Sequence, residues 1–138
     1  MRQLTFDQDD DSYASVMNNG RVMYTRWEYA GTPHFFTRLV FQMNPDGTGQ
    51  EELYGSNSWW PNAVYYERSL PGHATRFVGI VSGHHGARRM GELVVFDPAK
   101  GRQEADGVVQ RIPGRGQEVK PVIKDTLVNE SWPKFMAP

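Results

Sequence analysis

Two stretches decide the fold: Leu39-Val-Phe-Gln-Met-Asn-Pro-Asp-Gly47 and Leu93-Val-Val-Phe-Asp-Pro-Ala-Lys-Gly101. Each is a short apolar run that stops at a turn, with Pro and Gly where a tight β-turn takes them. The two starts are 54 positions apart (39 to 93). Upstream, Gly20-Arg-Val-Met-Tyr-Thr-Arg26 answers Thr75-Arg-Phe-Val-Gly-Ile-Val81 at an offset of 55 (20 to 75). Downstream, Glu52-Leu-Tyr-Gly55 answers Gln110-Arg-Ile-Pro-Gly114. The third pair drifts to an offset of 58–59, but two landmarks recurring in order at nearly one spacing argue for a duplicated unit.

Within each copy the residues read as strands. Val22, Tyr24 and Arg26 alternate with Met23 and Thr25, the period of two of a pleated strand. A strand is expected ahead of each such run, at 12–17 and 63–67, and a short one behind each turn, at 50–54 and 108–112. Composition agrees. Aromatics make up 12% of the chain, and 14 Gly with 9 Pro supply many tight turns, so all-β is favoured over a helical bundle. No apolar stripe of helical period is long enough to compete.

Four short antiparallel strands per unit of about 50 residues is the pattern of a β-propeller blade. The expected fold is therefore an all-β propeller fragment. It has an acidic lead-in at 1–11, a first blade at 12–56, a second at 57–116, and the start of a further, truncated blade at 117–138. Two blades do not close a propeller, so other blades or domains of a longer parent protein are the expected neighbours.

The run Met43-Asn-Pro-Asp-Gly-Thr-Gly49, with the strands around it, resembles the TolB-type (WD40-like) propeller repeat. Leu70-Pro-Gly-His-Ala-Thr-Arg-Phe-Val78, Ser82-Gly-His-His-Gly86 and Gly91-Glu-Leu-Val-Val-Phe-Asp-Pro98 are similar to a group of bacterial propeller proteins related to the hydrazine synthase alpha subunit. The resemblance implies an exported, periplasmic protein and, in the parent, domains carrying haem c. This chain departs from those haem proteins. It has no Cys, so no C-x-x-C-H attachment lies within it, and no cofactor is expected inside the chain.

A meander puts the loop between its second and third strands at the same end as the connection to the next unit. Residues 27–37 with His34, residues 82–90 with His84 and His85, and Gly55-Ser-Asn-Ser-Trp-Trp-Pro61 are thus expected at one end, with His73 at the other. From that end come the ligand- or partner-binding candidates His34, Trp59, Trp60, His84, His85 and Arg88. Neutral imidazole is the commonest metal ligand, which makes His84 and His85 a candidate metal pair, although Glu92 is the nearest acid that could join them. The plain alternative is a Gly-rich turn with solvated histidines. Trp59 and Trp60 offer a stacking platform or, alternatively, packing between blades. Arg88-Arg89 could clamp an anion or simply be solvated. The acidic run Asp7 to Asp11 lacks the Gly and distal Glu of a calcium loop and reads as a solvated lead-in. Asp46 and Asp97 are expected to hydrogen-bond their own turns.

The charge balance, 15 basic against 16 acidic residues, offers no electrostatic drive to nucleic acid or anionic membranes. No apolar run is long enough to span a bilayer and the N-terminus has no signal-peptide h-region. No nucleophile elbow, P-loop, H-E-x-x-H or dinucleotide fingerprint is present. The expected function is a propeller scaffold or protein-interaction module. The alternative is the non-haem part of a multihaem redox enzyme, with the His84–His85 loop near its reactive pocket.

Overall fold

A computed structural model describes residues 1–7, 10–27, 38–55, 58, 60–83, 89–114 and 133–136, and these described residues form eight strands and no helix. In order they are β1 (Asp11–Val16), β2 (Val22–Trp27), β3 (Arg38–Met43), β4 (Glu51–Tyr54), β5 (Ala63–Ser69), β6 (Phe77–Ser82), β7 (Glu92–Phe96) and β8 (Val108–Ile112). The protein is all-β. Among the described residues no helix is long and apolar enough to cross a membrane.

The strands pair as two antiparallel meanders, β1-β2-β3-β4 and β5-β6-β7-β8, in one open sheet. Turn chemistry explains where the strands stop. At 44–47 the Gly47 amide donates to the Asn44 carbonyl, and Asp46 Oδ1 accepts from the Thr48 amide at 3.0 Å. At 97–100 the Lys100 amide returns to the Asp97 carbonyl, and Asp97 Oδ1 accepts from the Ala99 amide. Both carboxylates are held below the usual range, Asp46 chiefly by the Thr48 hydroxyl and Asp97 chiefly by the Thr75 hydroxyl.

The ladder link between the meanders is a single parallel bridge, Arg38 to Ala63, beside the Arg38 amide donating to Asn62 O at 2.9 Å. Packing does the rest. β1 lies against β5, and one face of the first meander (Met23, Val40, Leu53, Tyr54) meets the opposite face of the second (Val64, Phe77, Val81, Val94, Phe96). Aromatic rings fill the seam. Phe77 and Phe96 stack at 5.0 Å and Tyr54 sits 4.7 Å from Phe96. The Tyr54 hydroxyl crosses to the second meander, accepting from the Gly107 amide and donating to Glu104 O.

The outer face of the first meander carries Tyr24, Leu39, Phe41 and Met43, and Leu4 of the lead-in packs onto it. Within that segment Asp7 and Asp10 are exposed and Asp11 is half-buried. Asp7 and Asp11 both pair with Arg26, whose guanidinium lies 4.6 Å over the Phe41 ring, and Asp11 already belongs to β1. A cation partly buried on an apolar face needs carboxylates, and the acidic run supplies them.

Candidate functional site

Strand pairing fixes which ends of the meanders coincide. Trp27 pairs with Arg38, Arg38 with Ala63, and Ala63 with Ser82, while Val81 pairs with Glu92. The ends of β2 and β6 and the starts of β3, β5 and β7 therefore share one edge of the molecule. That is the end from which residues 28–37 and 84–88 depart. His34, Trp59, His84, His85 and Arg88 lie outside the described residues.

Trp60 is described, and it is core. It is 1% exposed, 6.0 Å from the Phe96 ring, with the Arg111 guanidinium 5.8 Å from its centroid. Glu92 is buried and committed to Arg111, whose Nε and Nη2 lie 2.8 and 2.5 Å from its Oε2. Its carboxylate is therefore turned to an ion pair. His73 is exposed on the β5–β6 turn, at the opposite end, and its carbonyl accepts from the Asn18 side chain at 2.8 Å. Among the described residues no group of three His, Asp or Glu side chains could hold a metal ion.

A cluster that the sequence pattern does not reveal occupies the loop end. Each first strand is bulged. Pairing with the neighbour slips between Ser12 and Ser15 in β1, and between Tyr65 and Arg68 in β5. The residue at each slip, Tyr13 and Tyr66, adopts a left-handed backbone with φ 58°. Such a conformation costs a non-glycine residue on the order of 1–3 kcal/mol and persists where its surroundings fix it. The two bulges are equivalent positions of the two meanders, and they bring the Tyr13 and Tyr66 rings to 4.6 Å, edge to face. Tyr65 joins at 5.7 Å from Tyr13.

Two arginines complete the cluster. Arg38 lies 4.7 Å over Trp27 and 6.0 Å over Tyr65. Arg89, itself at φ 61°, lies 5.5 Å over Tyr13 and 5.8 Å over Tyr65, and it donates to the Tyr13 hydroxyl. Burial pushes the Tyr13 and Tyr65 phenols upward, against the pull of the nearby arginines, so both stay neutral hydrogen-bonding groups at physiological pH. Tyr13 and Tyr66 are half-buried and Arg89 is exposed, so the cluster is reachable from solvent. Rigid aromatic area beside preorganised guanidinium groups is the composition of binding hot spots.

At the opposite end a cleft of about 250 Å³ opens between the meanders, with Met17, Leu53 and Pro98 as its apolar part and Gln42, Thr75 and Arg102 as its polar part. Thr75 is engaged with Asp97 at 2.7 Å and Gln42 with Glu51 at 3.0 Å. No family model, curated protein or solved structure matches the chain.

Proposed function

We propose that the two meanders are successive blades of a β-propeller, and that the chain serves as a scaffold recognising a protein partner through its loop end. The observation that carries this reading is the pair of equivalent bulges at Tyr13 and Tyr66, whose rings meet at 4.6 Å where the two first strands lie side by side. Neighbouring units joined through their first strands, face to opposite face, are how propeller blades pack. A stiff pair of meanders holding strained aromatic residues beside loops is suited to recognition, because little freedom is lost on binding.

A photo-reactive phenylalanine analogue placed at position 66 or, as a control, at position 73 tests the proposal in extract of the source cells. Cross-linked partners from position 66 and none from position 73 are expected. Equal labelling from both ends, or none from position 66, removes the recognition role.

A further inference from the structure

We infer that the loop end takes a carboxylate, supplied by acidic side chains of the partner protein, and that Arg89, held against Tyr13 and Tyr65, is its receptor. The inference rests on the recognition surface proposed above and names what that surface reads.

Four of the described arginines are already committed to carboxylates of the chain. Arg21, Arg26, Arg76 and Arg111 each face a carboxylate of the chain: Glu51 at 3.2 Å, Asp11 at 2.9 Å, Asp97 at 3.3 Å and Glu92 at 2.5 Å. Arg89 has no carboxylate partner among the described residues. Its contacts are the rings of Tyr13 and Tyr65 and the Tyr13 hydroxyl. A guanidinium carries five N–H donors, and the bond to Tyr13 engages only part of that set. The contacts to the Tyr13 and Tyr65 rings hold the guanidinium at the cluster, and its remaining donors suit a planar two-oxygen acceptor.

The surroundings point the same way. Three of the four non-glycine residues with positive φ among the described residues are Tyr13, Tyr66 and Arg89. Backbone strain in this fold is thus gathered around a single cation. Burial disfavours ionisation of the Tyr13 and Tyr65 phenols, so neither adds a competing negative charge. Arg38 lies over Tyr65 and contributes a second positive charge at the same edge. Asp10 is close enough to Tyr13 to act on its ionisation, yet it forms no ion pair with Arg89. It is exposed, and it sets a local repulsion that a bound carboxylate must overcome through direct contact with Arg89.

The test uses the full chain and three probes: a hexaglutamate peptide, free glutarate and inorganic phosphate, each titrated by calorimetry at low salt. The hexaglutamate peptide is expected to bind best and glutarate weakly. Arg89→Ala is expected to weaken the peptide at least about tenfold, the scale of one lost hydrogen bond to a charged group. Arg89→Lys, which keeps the charge but not the fork, falls between. Tyr13→Phe, which keeps the ring, loses a smaller part, and Arg21→Ala loses nothing. Melting temperatures equal to that of the unmodified chain show that each variant is folded. No peptide binding below millimolar concentration, or unchanged binding in Arg89→Ala, overturns the carboxylate receptor. Phosphate binding tighter than the peptide overturns it as well. Partner labelling from position 66 without hexaglutamate binding leaves the recognition surface standing and removes only its ligand; loss of both removes both.

Discussion

Glu67 meets Thr25 across the seam between the two meanders, where burial favours the protonated form of the acid. Thr25 Oγ1 lies 2.9 Å from Val64 O and in short contact with Glu67 Oε1. A hydroxyl has one proton, and the Val64 carbonyl can only accept. Val64 O and Glu67 Oε1 therefore compete for the Thr25 proton, and a protonated Glu67 relieves that competition by donating to Thr25 Oγ1. Its other oxygen, Oε2, is buried with no hydrogen-bond partner, a position tolerable for a neutral acid and costly for a carboxylate. Burial accordingly pushes the Glu67 carboxyl up to about 8, against the lowering effect of the Thr25 contact. Arg68, on its own strand, also lowers it and donates to the Glu67 backbone carbonyl at 2.7 Å.

A folded-state value raised above the unfolded one makes stability depend on pH in a definite direction. Below about 4.5 the acid is protonated in both states and the native state is undisturbed. Between there and about 8 the unfolded chain loses its proton first, so stability falls as pH rises. The loss is on the order of a few kcal/mol over that window. Urea unfolding from pH 4.5 to 9 is expected to show this decline in the unmodified chain. It is expected to be largely absent in Glu67→Gln, whose amide can still donate to Thr25. Parallel pH profiles for the two proteins would mean that Glu67 is ionised in the fold.

Gly79 faces the same seam from β6. A Cβ there would sit 2.6 Å from Val64 Cγ1, closer than packed carbons approach, and 3.8 Å from Glu67 Cγ. Gly79→Ala is expected to lower unfolding free energy by about 1–3 kcal/mol, the range for overpacking a filled core. Denaturant titration measures it, and a neutral result would show that the seam can open by a few tenths of an ångström.

Tyr54→Phe removes a hydroxyl that both accepts and donates across the meanders. The Gly107 amide and Glu104 carbonyl lose that partner, at a cost of about 1–3 kcal/mol. Faster hydrogen exchange at the Gly107 amide is the specific signature, because simple core loosening would not single it out.

Trp60→Ala empties the space beside Phe96 and Arg111. A loss of about 3–5 kcal/mol is expected, as for other buried tryptophans. A soluble, folded variant with unchanged stability would contradict its place in the core.

The strands were legible because their boundaries are chemical. Asn44-Pro45-Asp46-Gly47 and Asp97-Pro98 stop β3 and β7, and the alternation of 22–26 sets β2. The cluster was not legible, because a bulge leaves no mark in a period-two pattern. Simple alternation from Val64 puts Glu67 on the opposite face. The extra residue at Tyr66 returns it to the Val64 side, which is why an acid near the end of an apolar strand is buried. Extending the repeat upstream to set Tyr13 beside Tyr66 was the available signal. Arg88-Arg89 read as an anion clamp or a solvated pair, and sequence cannot show the two rings beside Arg89 that bear on the choice.

The seam joins unlike halves of like units. By strand register Thr25 of the first meander corresponds to Ile80 of the second, and Glu67 of the second to Ala14 of the first. Reversing the order of the two units would set Ile80 against Ala14, replacing a hydrogen-bonded acid with a methyl group and a shallow gap. The two copies are consequently not interchangeable parts. Each has become the left or the right partner of a directional joint, and a chain with its halves permuted would meet its neighbour through surfaces that no longer recognise one another.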